Sequence, residues 1–231
     1  MLQLKNKKKI YFYLLSFLLL STILNVRVSN FLLENFKINK IVIKNDVLEV
    51  KKKILNKTNY LINKNILKIQ EGEIKKKLSD LKYLENVIIR KNYPSSLIIE
   101  AKMTKLIGIT YFNQKKYYVG ENGKFILENK ISNKKKLPII FGKFDIDEFL
   151  KLQSDLDKLN INPNNITKYY YHKNKRWDLY LAEEVVLMLP NKNLKKSFEI
   201  FNYYYSKNKI KKKTIIDLRI TDRLIVSNEQ R

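Results

Sequence analysis

The chain opens on a basic segment, Lys5 and Lys7–Lys9, and then runs for seventeen residues without a charge, Ile10–Val26 (IYFYLLSFLLLSTILNV). As a helix this run would measure about 25 Å, against a hydrocarbon core of roughly 30 Å. Val28 and the interfacial aromatics Tyr11 and Tyr13 extend the fit, so the pattern predicts a membrane-crossing helix over 10–28. Four lysines precede the run and Arg27 follows it. That asymmetry leaves 1–9 as a cytoplasmic tail and the bulk of the chain outside. A cleaved signal peptide would need a shorter apolar region and a small-x-small site, which ILNVRVSN does not offer.

From Lys40 to Met103 the periodicities are short and ordered. Ile41-Val42-Ile43 reads as a strand closed by Asn45-Asp46. Val47–Thr58 places Val47, Val50 and Ile54 on one helical stripe, and Glu71–Leu81 does the same with Ile74, Leu78 and Leu81. Val87-Ile88-Ile89 and Leu97-Ile98-Ile99 read as two strands broken by Tyr93-Pro94-Ser95. The order is β-α-α-β-β, a small α+β module with helices on one face of a sheet. Its expected core includes Ile41, Ile43, Ile54, Leu78, Val87, Ile89 and Leu97.

The remainder is rich in strands: Ile107–Phe112, Tyr117–Val119, Phe125–Leu127 after the Asn122-Gly123 turn, and Leu137–Gly142 with its proline at the entrance. Ile146–Leu159 is an amphipathic helix carrying Phe149, Leu152, Leu156 and Leu159 on one stripe. After a loop at Pro163, strands are expected over Ile166–Tyr171, Trp177–Leu181 and Val185–Leu189. A second helix is expected over Leu194–Tyr205, and strands over Thr214–Ile220 and Leu224–Val226 close the chain.

Composition narrows the chemistry. There is no cysteine, which excludes disulfides, thiolate metal sites and a cysteine nucleophile. The one histidine, His172, has no clustered partners in sequence for a metal. Asp145-Ile146-Asp147-Glu148 lacks the glycine and remaining ligands of a calcium loop and suits a helix N-terminus instead. None of the five glycines forms a phosphate-cradling loop, and no Gly-x-Ser-x-Gly elbow is present. The net charge is +25, but its lysine triplets (Lys51–Lys53, Lys75–Lys77, Lys134–Lys136, Lys211–Lys213) are scattered. A nucleic-acid footprint gathers into a stripe or patch, so scattered lysine reads as compositional bias. The segment Tyr169–Trp177 interleaves aromatics with bases, yet reads more simply as two strands around a basic turn. The expectation is a protein without catalytic residues, cofactor, metal or nucleic-acid partner.

Six segments in order resemble the bacterial cell-division family FtsQ/DivIB. Ile41-Val42-Ile43-Lys44-Asn45 is similar to the "I-x-V-x-G-N" opening of its POTRA domain, and Asn65-Ile66-Leu67 follows. Leu84–Ile99 is similar to "V-x-x-A-x-V-x-R-x-W-P-x-x-L-x-I", with Tyr93 for the tryptophan. Leu137–Gly142 resembles "L-P-x-L-x-G". Trp177–Leu181 and Ile216-Asp217-Leu218-Arg219-Ile220, similar to "x-D-L-R-Y", complete the set. The chain departs from the family where Met103, Leu106 and Gly108 replace "E-x-x-P-x-A", and where Ile220 replaces an aromatic.

The resemblance implies a POTRA domain at 36–104 and a β domain with two helices at 105–227, behind the membrane helix. It implies a non-catalytic scaffold of the inner membrane at the septum, recruiting FtsB- and FtsL-type partners. It also places partner binding at the last strand, through Arg219, Ile220, Asp222, Leu224 and Val226, as strand addition to an open edge. The alternatives are a membrane-anchored cell-wall enzyme or another POTRA-type assembly factor.

Overall fold

The computed structural model describes residues 7–23, 26–130, 136–158, 165–207, 212–220 and 222–228. Residues 1–6 of the expected tail, 24–25 of the expected membrane helix and the loop at Pro163 lie outside them. The chain divides into two compact units, Met1–Lys102 and Met103–Arg231.

The described residues do not form the membrane-crossing helix expected over 10–28. Helix α1 covers Lys7–Ile23, 17 residues that begin with three lysines, and α2 is a separate ten-residue helix, Val26–Asn35, containing Arg27 and Glu34. Among the described residues no helix is long and apolar enough to cross a membrane. The physical reason is length. The described α1 has 17 residues against the roughly 20 a span needs, and it spends its first turn on lysine.

The first unit's sheet follows from its alternation. Strands β1 (Lys40–Lys44), β2 (Leu84–Asn92) and β3 (Ser96–Met103) lie in the order β1-β3-β2. β1 runs parallel to β3, Ile41 beside Leu97 and Ile43 beside Ile99. A parallel pair needs a crossover, and α3 (Leu48–Thr58) and α4 (Glu71–Leu78) lie on that route. Asn45 starts it: its side-chain oxygen accepts from the Val47 amide at 2.8 Å and its Nδ2 donates to the Ala101 carbonyl at 2.7 Å. Val50 and Ile54 of α3, Ile74 and Leu78 of α4, and alternate β3 residues Leu97, Ile99 and Ala101 are buried together with Ile38, Leu61 and Ile66. Of the expected core, Ile54, Leu78, Ile89 and Leu97 are buried. Ile41, Ile43 and Val87, on the two edge strands β1 and β2, are only half-buried.

The second unit is a nine-stranded sheet. Its strands are β4 (Leu106–Phe112), β5 (Lys115–Gly120), β6 (Phe125–Leu127), β7 (Ile139–Phe141), β8 (Ile166–Tyr171), β9 (Trp177–Leu181), β10 (Val186–Met188), β11 (Thr214–Asp217) and β12 (Ile225–Asn228). They lie in the order β12-β11-β10-β9-β8-β7-β4-β5-β6. The parallel pairs β7/β8 and β10/β11 are joined through α5 (Ile146–Lys158) and α6 (Leu194–Lys207).

One lateral row of side chains, Ile140-Tyr169-Leu179-Leu187-Ile216, crosses five neighbouring strands in register. Each of the five is at most 1% exposed, and the row shares one core with Phe149, Leu152 and Leu156 of α5 and Phe198 and Phe201 of α6. Phe149 stands edge-on to Tyr169 at 5.2 Å and beside Trp177 at 5.6 Å, spacings at which aromatic pairs attract beyond simple burial. Gly142, which ends β7, has φ +95° and no room for a Cβ, which would lie 2.2 Å from the Tyr171 carbonyl oxygen.

Two stability outcomes follow. Ile54→Ala should cost about 2–5 kcal/mol in urea unfolding, whereas the adjacent, 42% exposed Leu55→Ala should stay within about 0.5 kcal/mol. Gly142→Ala should destabilise by about 1–3 kcal/mol or more, since it combines a positive φ with a backbone clash.

Candidate partner-binding edge

The carboxy-terminal hairpin pairs β11 with β12 in antiparallel register, Thr214 beside Asn228, Ile215 beside Ser227, Ile216 beside Val226 and Asp217 beside Ile225. β12 is the last strand of the sheet, so its far side has no strand neighbour among the described residues. The buried row of the second unit reaches Val226 through Ile216, but there exposure rises to 39%. On the opposite face Ile225 is 49% exposed. The edge therefore presents apolar side chains on both faces beside an unpaired row of backbone groups.

The five residues singled out from sequence fall in distinct places. Arg219 and Ile220 lie in the connection between the strands, not in a strand. Arg219 is engaged: its Nε donates to Asp217 Oδ1 at 2.8 Å, its terminal nitrogen reaches Oδ2 at 2.5 Å, and its amide donates to Oδ1 at 2.9 Å. Ile220 is 52% exposed. Asp222 adopts φ +71° in the turn and pairs with Lys196 of α6. Leu224 is half-buried against the core, so it anchors the entry to β12. Val226 alone of the five lies within β12. Sequence reasoning missed Ile225 and the holding role of Asp217, although the Asp-x-Arg spacing of 217 and 219 was its available signal.

Electrostatics supports this turn as a preset element. The Arg219 hydrogen bonds hold the Asp217 carboxyl below its ordinary range, against an opposing effect of partial burial. The guanidinium is correspondingly raised by its hydrogen bond to Asp217.

Several polar groups elsewhere are engaged within the fold. His172 Nε2 lies 2.6 Å from Oδ2 of Asp178, which is 5% exposed, and Arg176 Nε is 3.9 Å from the other carboxylate oxygen. Asp145 Oδ1 accepts from the amides of Asp147 and Glu148 at 2.8 and 3.4 Å, capping α5. Glu184 pairs with Lys213 at 3.8 Å. Burial pushes Tyr169 up to about 12, and burial with the hydrogen bond to Glu148 does the same for Tyr171. Neither phenol is thus available as a base near neutrality. Among the described residues no group of three acidic, histidine or cysteine side chains could hold a metal.

Two family profiles match the chain: "POTRA domain, FtsQ-type" over residues 36–102 and "Cell division protein FtsQ/DivIB, C-terminal" over 110–219. The second stops at Arg219, so β12 lies beyond it. The chain is 25% identical over 155 residues to a cell division protein FtsQ of Rhizobium radiobacter, covering 64% of the chain and 72% of the relative. It is also 25% identical over 155 residues to the FtsQ of Agrobacterium fabrum, covering 64% of the chain and 48% of that protein. The chain thus spans about half the length of the latter. A solved structure, the major extracytoplasmic domain of the cell division protein DivIB from Geobacillus stearothermophilus, aligns at 15% identity and a TM-score of 0.32. That alignment covers 46% of this chain and 91% of the other.

A folded carboxylate held below its usual value stabilises above its unfolded value of about 3.9, and that contribution is lost as the pH falls through the folded value. Asp217→Asn should therefore lower stability by about 0.5–1 kcal/mol at pH 7, a surface-pair magnitude. The deficit should shrink below about pH 4 and vanish once the carboxyl is protonated, as read from urea midpoints across that range.

Proposed function

This chain belongs to the FtsQ/DivIB family of cell-division proteins, and from that premise we propose that it is a non-catalytic scaffold that recruits other division proteins at the septum. On this proposal the segments 36–104 and 105–227 are its two extracytoplasmic modules. The partners are of the FtsB and FtsL type. The observation that carries the reading is the open edge of β12, where the core row ends on exposed Val226 and Ile225 faces the other way.

A partner's extended segment adds a tenth strand beside β12. Backbone hydrogen bonds hold it, and its alternate side chains cover Val226 on one face and Ile225 on the other. Covering two half-exposed aliphatic residues is worth about 1–3 kcal/mol in total. Ile220, at the position where the family carries an aromatic, meets the partner beyond the strand. Arg219 and Asp222 serve from their ion pairs, fixing the turn, and Leu224 anchors it from below.

The test is capture of a purified FtsB-type partner by the full chain. Ile225→Asp/Val226→Asp alters only exposed side chains, so its unfolding midpoint should hold while capture falls at least tenfold. Full-strength capture by this folded variant would move the interface off β12. A fluorescent fusion should concentrate at the division site, and a uniform distribution would count against septal recruitment.

A further inference from the structure

The first unit has two sheet edges, and they are unequal. β2 carries Glu85, Arg90 and Lys91 within the strand, which is how natural edges discourage pairing. β1 confines its charges to the ends, Lys40 and Lys44, with Ile41, Val42 and Ile43 between them, all three half-buried. It has no bulge, proline or internal charge and no strand neighbour on its far side among the described residues; the 63–65 segment pairs with Lys37 and Ile38 just upstream, so the open stretch lies within Lys40–Lys44, about 17 Å long.

The helix above this edge is also unfinished on one side. On α3, Lys53 lies over the Tyr83 ring at 5.6 Å and Lys57 pairs with Asp80 at 2.9 Å, so that flank faces the α4-to-β2 connection. The other flank carries Leu48, 65% exposed, and Leu55, 42% exposed. They stand seven residues apart, two helical turns, and so align on one stripe. Lys51 and Lys52 lie between them. Because α3 packs beside β1, the bare strand edge and the bare leucine flank belong to one margin of the unit. Lys40, Lys51 and Lys52 have no ion-pair partner among the described residues. Asp46 and Glu49 belong to the turn past the end of β1 and to the start of α3.

We propose that the β1 edge and the Leu48–Leu55 flank of α3 form a second docking surface, taking an extended, acid-flanked peptide segment with alternating apolar residues. The segment pairs its backbone with β1 and lays its apolar side chains on Leu48 and Leu55. Its acidic ends meet Lys40 at one end and Lys51 and Lys52 over the strand. This surface is independent of the β12 reading, since it is built wholly within the first unit.

The chain contains no cysteine, so introduced thiols are unique reporters. The probe is a capped synthetic peptide of alternating valine and threonine with two aspartates at each end, labelled for anisotropy, titrated against the full chain. A control peptide carries proline at its centre. The wild type should bind the probe at least tenfold tighter than the control. Leu48→Ser/Leu55→Ser should lose that margin with an unchanged unfolding midpoint, and Lys51→Glu/Lys52→Glu should weaken the probe severalfold. A cysteine at the peptide centre should cross-link to Leu55→Cys and not to Ile88→Cys on β2. Equal binding of the proline control would reduce the effect to net charge and overturn the proposal. So would cross-linking to Ile88→Cys, or displacement of the probe by anionic lipid vesicles. Unchanged capture of the division partner by the serine variant would confirm that the two surfaces are separate.

Discussion

The second unit depends on a single buried row. Ile140, Tyr169, Leu179, Leu187 and Ile216 stand side by side across five strands, at the centre of the buried cluster that ties β7 to β11. A row this dry requires a roof. The parallel pairs β7/β8 and β10/β11 supply it, because each of those two connections crosses over the sheet and brings a helix with it. Helices α5 and α6 both lend their apolar stripes to the same core. The sheet is therefore finished in its middle and unfinished at the margin, where the row runs out from under its cover at Val226.

The first unit repeats this logic at smaller scale. β3 is flanked by strands on both sides and contributes the fully buried Leu97 and Ile99, while the edge strands on either side are half-dressed. In the first unit the β1 edge belongs to a parallel pair, and in the second the β12 edge belongs to an antiparallel hairpin. What distinguishes a functional edge from a merely tolerated one is whether its interior charges forbid pairing. By that criterion β2 is closed, and β1 and β12 are open.

Much of this was legible in sequence because it is local. Alternation located the strands, and the stripes of Phe149-Leu152-Leu156 and Ile74-Leu78 located the helices. The glycine of the Leu137–Gly142 motif acquires its reason in the Tyr171 carbonyl, a contact 29 positions away that no local pattern contains. The failure at the amino terminus was also instructive. A charge-free run sets an upper limit on a spanning segment, but the described helix, Lys7–Ile23, spends its first turn on lysines. The region singled out from sequence, Arg219–Val226, contains the turn before β12 and its first two residues, but the geometry of each residue there was not readable from the sequence. Whether Arg219 points at a partner or folds back onto Asp217 depends on a hydrogen-bond geometry that spacing alone leaves open. Likewise the half-burial of Ile41 and Ile43, on an edge strand, is a long-range property.

The aromatic packing around α5 has a consequence for how the two units can be told apart. The chain has one tryptophan, Trp177, and it lies 5% exposed among Phe144, Phe149 and Tyr171 in the second unit. Its indole emission therefore senses solvent entering that core, while the first unit's buried aromatic Tyr83 emits as tyrosine. Indole fluorescence and backbone dichroism report different parts of the same molecule. If the units unfold independently, the two signals separate into distinct transitions, and the chain carries within its own sequence the means of measuring whether its halves are thermodynamically one body or two.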